Sequence, residues 1–189
     1  GAVQVHVPEQ ELGGTVRLDV IELKLRKVYF SGAVLFDQDN LRRSLPALRT
    51  GTSPNASALS SSVALANENP SKQVEVVLKA TDEEGMLDAR VDVTEQPVSK
   101  IFVTLDNTGN ESTGPYRVGV GYQHANLWNR DHVMTANYTT SPEKPERVSI
   151  YSLSYRLPLY ELGHSMDFII ARSNVNAGTT AIVGGNLAF

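Results

Sequence analysis

Leu87-Asp88-Ala89-Arg90-Val91-Asp92-Val93-Thr94 decides the fold. Apolar residues fall on every second position without exception, so the segment reads as a strand with one covered face and one wet face. Just upstream, Gln73-Val74-Glu75-Val76-Val77-Leu78 has the same period. Thr81 to Gly85 is a polar turn between the two runs. Together they predict a hairpin. A lone two-stranded hairpin is at best marginal in water, so something must cover its apolar face.

The preceding residues supply the cover. Ala56, Leu59, Val63 and Ala66 recur at helical spacing. Ser53 is placed to cap that helix, Pro54 suits its first turn, and Asn67-Glu68-Asn69-Pro70 stops it. A shorter helix is expected after Asp39, read as its cap, with Leu41, Leu45 and Leu48 on one face and Pro46 limiting its length. Before it, Leu23 and Leu25 alternate, and the apolar phase then slips to Val28 and Phe30. A bulge near Arg26 accounts for the slip, and Ser31-Gly32 ends the strand. The unit is therefore strand, helix, helix, strand, strand. Two helices on one face of a three-stranded sheet bury it.

On the N-terminal side, Val3, Val5 and Val7 alternate, as do Val16, Leu18 and Val20. Pro8 to Gly14 reads as the connection between them. These strands have no helices of their own and are expected to be the remnant of a preceding unit.

Beyond Pro97 helical periodicity disappears. Ile101, Val103 and Leu105 lead to the turn Asp106-Asn107-Thr108-Gly109. Tyr116, Val118, Val120 and Tyr122 alternate with Arg117, Gly119, Gly121 and Gln123. Asn129-Arg130-Asp131 reads as a turn before His132 to Thr140, and Pro142 to Pro145 as another. Tyr151, Leu153, Tyr155 and Leu157 alternate with small or polar residues, and Leu162-Gly163-His164 turns the chain into Met166, Phe168 and Ile170. Arg147 to Leu157 runs uninterrupted, close to the ~9–11 residues that cross a bilayer at a tilt. Tyrosines on the apolar faces suit aromatic girdles, and Gly119, Gly121 and Ser154 suit a lumen. Short turns favour an up-and-down meander.

The totals narrow the classes. The chain has 189 residues, 41% hydrophobic and 20% charged, which excludes a disordered tail. A net charge of −4 with no basic run argues against nucleic acid. There is no cysteine, so disulfides and thiolate metal sites are excluded, and the four histidines have no metal-ligand spacing. No stretch approaches the ~18 apolar residues of a membrane helix, a test that membrane strands escape. Asp131 and His132 are adjacent on an extended segment and point to opposite faces, so they make a poor acid–base pair. No nucleophile context accompanies them, and no enzyme activity or cofactor is expected.

Several segments together resemble two-partner secretion transporters of the haemolysin and filamentous-haemagglutinin type. They are Asn67-Glu68-Asn69-Pro70, Leu105-Asp106-Asn107-Thr108-Gly109, Thr113-Gly114, Leu127-Trp128-Asn129-Arg130-Asp131 and Ser154-Tyr155-Arg156-Leu157-Pro158-Leu159. The resemblance covers most of the chain from about Gly14. It implies an α+β POTRA (polypeptide-transport-associated) module of order β-α-α-β-β, followed by an antiparallel β-meander from a truncated transmembrane β-barrel. Residues 1–22 would be a remnant of the preceding POTRA unit, 23–96 the POTRA domain, and 97–189 the first strands of an incomplete barrel. The family's lumenal loop would lie beyond Phe189, whose terminal position is read as coincidence rather than as a barrel signature.

The implied function is outer-membrane protein translocation, with the module in the periplasm and the barrel in the outer membrane. Partners would be an unfolded secreted client, adhesin-like or haemolysin-like, and outer-membrane lipids. Gln73, Val74, Glu75, Val76, Val77 and Leu78 are the candidate client-binding edge, where proline at Glu75 ought to remove a donor. Arg117 and Arg156 are candidate pore-lining residues. An assembly factor for outer-membrane proteins shares the architecture. A soluble β-rich binding or adhesive domain is the alternative from another class. Open strand edges predict that this chain oligomerises through residues 100–189.

Overall fold

The computed structural model describes residues 2–8 and 17–176. Val16, most of the Pro8 to Gly14 connection and Phe189 lie outside the described residues. In chain order the elements are β1 (Val3–His6), β2 (Asp19–Glu22), β3 (Lys24–Ser31), α1 (Gln38–Ser44), α2 (Ala56–Ala66), β4 (Lys72–Ala80), β5 (Met86–Glu95), β6 (Ser99–Asp106), β7 (Arg117–Leu127), β8 (His132–Thr140), β9 (Val148–Leu159) and β10 (His164–Val175). They form a two-stranded sheet β1-β2, a three-stranded sheet β3-β5-β4 and a five-stranded sheet β10-β9-β8-β7-β6. The chain divides into two compact units. One holds residues 1–99, 124–134 and 155–168, and the other holds 100–123, 135–154 and 169–189.

In the first unit, β5 is the central strand. It runs parallel to β3 and antiparallel to β4. Leu87, Ala89, Val91 and Val93 are all buried, as their alternation requires. Phe36, Leu41, Leu45, Ala66 and Val74 join Val91 and Val93 in the core, with Val28, Phe30 and Val63 against them. The bulge falls at Arg26: Leu25 pairs with Leu87, and Lys27 with the next residue, Asp88. The extra residue aims Arg26 at Asp88 through a two-pronged hydrogen bond of 3.0 and 2.7 Å, with Glu83 at 2.7 Å. That guanidinium holds the Asp88 carboxyl below its ordinary range. Gly32 ends β3 at φ 82°, and a Cβ there would lie 2.2 Å from the Val93 carbonyl oxygen.

Both helix caps sit two residues from the expected positions. Asp37, not Asp39, caps α1 by accepting the Asn40 N–H at 2.7 Å. Asn55, not Ser53, caps α2 by accepting the Ala58 N–H at 3.1 Å. Ser53 instead donates to the Ala2 carbonyl at 3.3 Å. In α2 the buried face is Leu59, Ser62, Leu65 and Ala66, and Ala56 is exposed. The loop before α1 has an anchor with no local sequence signal. The Glu95 carboxylate accepts the backbone N–H groups of Val34, Leu35 and Phe36 at 2.8–3.1 Å. This carries the Phe36 ring into the core, a burial that contributes roughly 2–3 kcal/mol.

In the second unit the strands form the expected meander, and the two faces differ in kind. Ile101, Val103, Leu105, Val120, Tyr122, Tyr151 and Leu153 are exposed. The opposite face is polar and cross-linked: Asn137 donates to Ser152 at 3.2 Å, and Gln123 donates to Thr135 at 3.2 Å. Gly121 is required there because Phe102 lies across it, with ring carbon 2.1 Å from where a Cβ would sit.

Candidate functional site

β4 is one of the two edge strands of the three-stranded sheet, and its backbone parity can be fixed. The Ser71 carbonyl accepts the Gln96 N–H at 2.9 Å, toward β5. The Lys72 N–H donates to the Asn69 carbonyl at 3.4 Å, away from β5. Val74 also looks outward, because its N–H donates to Asn67 Oδ1 at 2.7 Å and its carbonyl accepts Asn67 Nδ2 at 3.1 Å. Backbone direction alternates along a strand, so Gln73, Glu75 and Val77 bond to β5 while Val76 and Leu78 face the edge. Among the described residues no strand pairs with that edge. The side chains of Val74, Val76 and Leu78 point toward the covered face, and those of Gln73, Glu75 and Val77 are exposed. The open donors are therefore at Val76 and Leu78. Proline at Glu75 would break the internal ladder instead, which corrects the expectation from sequence.

At the root of the same strand lies a buried polar cluster that the sequence did not reveal. Lys72, the first residue of β4, and Asp131, in the β7–β8 turn, are 1% and 2% exposed. Lys72 Nζ contacts Asp131 Oδ2 at 2.5 Å and donates to Asn40 Oδ1 at 3.0 Å. Asn40 Nδ2 donates to Asp131 Oδ1 at 2.9 Å, and the Tyr160 hydroxyl donates to Asp131 Oδ2 at 2.5 Å. Asn126 Oδ1 accepts the Asp131 N–H at 3.2 Å, and Asn126 Nδ2 donates to the Leu35 carbonyl at 3.2 Å. The Phe36 ring centre is 5.0 Å from the ammonium and the Tyr160 ring centre 6.0 Å. Burial pulls the Lys72 ammonium below the ordinary lysine range, and Asp131 opposes that shift. Burial, then the Asp131 charge, raises the Tyr160 phenol. Every buried side-chain nitrogen and oxygen among the described residues has a partner. One carboxylate thus gathers the start of β4, helix α1 and two inter-strand turns.

Further contacts reinforce that join. Asn69 Nδ2 donates to the Ala125 carbonyl at 2.7 Å, so Asn67-Glu68-Asn69-Pro70 docks onto β7 as well as ending α2. Arg43 donates to the Asn129 carbonyl at 2.8 Å. In the turn itself, Trp128, Asn129 and Asp131 have φ of 52°, 54° and 61°.

The two arginines read as pore-lining residues are engaged. Arg117 donates to the Gly114 carbonyl at 2.7 Å and to Thr113 Oγ1 at 2.7 Å, closing the β6–β7 loop. Arg156 grips Asp167 at 2.8 and 3.1 Å and reaches Glu68, beyond the end of α2, at 3.1 Å. Asp131 and His132 serve different partners, since His132 Nδ1 lies 2.5 Å from the Tyr155 hydroxyl.

No family model matches the chain, and neither does any curated protein. Solved structures do. CdiB from Escherichia coli matches with a TM-score of 0.74 at 19% identity, over 90% of this chain and 32% of that one. CdiB from Acinetobacter baumannii matches with a TM-score of 0.62 at 20% identity, over 82% and 30%. The crystal structure of BamA from Haemophilus ducreyi lacking POTRA domains 1–3 matches with a TM-score of 0.52 at 19% identity, over 91% and 32%. The chain spans about a third of the length of each, and over that third its fold is the fold of CdiB and BamA.

Proposed function

We propose that this chain belongs to an outer-membrane protein transporter of the two-partner secretion type. Residues 23–96 are its periplasmic POTRA module, residues 1–22 the remnant of a preceding unit, and residues 97–189 supply strands of the barrel. The module captures an unfolded exported client along the edge of β4 and passes it to the barrel. The observation that carries the reading is the exposed apolar face of β6, β7 and β9. Ile101, Val103, Leu105, Val120 and Leu153 on strands of 8 to 12 residues need a lipid or protein cover. The β-α-α-β-β order and the open β4 edge support the capture step. The fold shared with CdiB agrees with the resemblance in sequence. The client is adhesin-like or haemolysin-like, and the chemistry needs neither enzyme nor cofactor. Arg117 and Arg156 border the conduit through the loop and the ion pairs they hold.

The capture step has a direct test. Val76→Pro removes one outward N–H and leaves the β5 ladder intact, so the folded protein's client affinity should fall, beside a modest drop in melting temperature from the lost Val76 packing. Unchanged affinity with an intact fold would refute capture at this edge. The likeness to BamA supports a second reading, assembly of proteins into the outer membrane. Reconstituted vesicles separate the two. Secretion delivers a soluble client across the bilayer, whereas assembly leaves it inserted. As an isolated piece, the chain should oligomerise through residues 100–189, and a purely monomeric sedimentation profile would contradict that.

A further inference from the structure

The Asn67 side chain does to β4 what an added strand would do. A carboxamide has the donor and acceptor of one peptide group. Asn67 Oδ1 takes the Val74 N–H at 2.7 Å, and Asn67 Nδ2 gives to the Val74 carbonyl at 3.1 Å. Those are the two hydrogen bonds that an opposite residue of a paired strand exchanges with Val74. Asn67 is held in place by its own backbone, whose N–H donates to the Val63 carbonyl of α2 at 3.0 Å. One step toward the strand start, the Asn69 carbonyl takes the Lys72 N–H. The edge is thus covered by the chain itself at Lys72 and Val74, and open from Val76 onward.

We propose that Asn67 is a built-in strand mimic that sets where on β4 an extended client segment pairs. The inference rests on the client-capture reading and sharpens it. The client engages the backbone at Val76 and Leu78 and stops at the Asn67 carboxamide. Of the three outward-facing positions from Gln73 to Leu78, Val74 is taken by Asn67, and Val76 and Leu78 remain for the client. The ligand is an extended peptide with free backbone amides, and its side chains matter little because the bonds run through the main chain.

Hydrogen exchange on the full chain, resolved to single amides, tests this. The probe is a synthetic peptide of alternating valine and threonine, roughly six residues long, as in a typical strand. In the unaltered protein without peptide, the Val74 amide should exchange slowly and those of Val76 and Leu78 fast. Peptide should slow Val76 and Leu78 alone. In Asn67→Ala, Val74 should exchange fast without peptide and become protected with it, lengthening the footprint by one ladder step. Asn67→Asp keeps the acceptor, so Val74 should stay slow, which separates loss of the mimic from loss of the fold. A slow Val74 amide in Asn67→Ala without peptide, or one that peptide leaves fast, would overturn the mimic. Absence of peptide protection at Val76 and Leu78 in the unaltered protein would instead overturn client capture.

Discussion

Strands β5 and β6 carry nearly the same alternation and meet opposite surroundings. On β5 the apolar residues Leu87, Ala89, Val91 and Val93 are 0–6% exposed, and the charged residues between them face water. On β6 the apolar residues Ile101, Val103 and Leu105 are 71–75% exposed. A period of two says which residues share a face, and it is silent on what covers that face. In β5 the cover comes from the same chain, through α1 and α2. For β6 the described residues provide none, and the proposed cover is lipid.

The largest expected effect lies where the helical module meets the β7–β8 turn. Lys72→Met leaves Asp131 buried without its cation, and should lower unfolding free energy by about 3–5 kcal/mol. The double change Lys72→Met with Asp131→Asn should recover part of that loss, because it removes the orphaned charge and keeps a side chain that suits φ 61° and can accept from Tyr160. Denaturant titration read by Trp128, the single tryptophan, measures both. Equal losses in the two variants would show that the pair itself, not the orphaned charge, holds the join.

A middle-sized effect tests the cover of the strands. Val120→Arg should cost about 2–4 kcal/mol in a bilayer if the residue sits near its midplane. The variant should behave normally when β6 to β10 are solvated by water. Unfolding from vesicles supplies the number, and no loss would break the contrast between the sheets.

The smallest effect belongs to the wet face of β5. Arg26 holds the Asp88 carboxyl below its ordinary value of 3.8. A depressed carboxylate contributes stability that is fully present above the unfolded pKa and disappears as pH falls through the folded one. Stability should therefore decline slightly below about pH 4, and Asp88→Asn should flatten that limb. A limb of unchanged slope in the variant would assign the acid sensitivity to other carboxylates.

Much of the module was legible because its signals are local. The phase slip after Leu25 placed the bulge at Arg26, and unbroken alternation placed β5. The helix caps were misplaced by two residues because each site offers competing side chains, Asp37 with Asp39 and Ser53 with Asn55. Capping geometry, not residue type, chooses between them. The buried cluster was not legible. Lys72 and Asp131 lie 59 residues apart, and charged residues read by themselves belong on the surface. Asn67 looked like a helix stop, which it is, and its second role depends on how α2 returns to β4. The direction of the β4 backbone was also hidden, since alternation assigns side chains to faces but does not say which amides meet the neighbouring strand.

The turn at Trp128 to Asp131 has a consequence for the order in which structure forms. Left-handed backbone costs roughly 1–2 kcal/mol for an ordinary residue and less for Asn or Asp, and this turn has three such residues among four. Contacts from Asn40, Arg43 and Lys72, all earlier in the chain, hold it, and Tyr160 adds one from later. The β7–β8 turn, closed by its own bonds from the Asn129 and Arg130 N–H groups, is therefore also templated by the module. A chain emerging from its N-terminus has most of the mould ready before the piece it shapes arrives, and Tyr160 closes it afterwards.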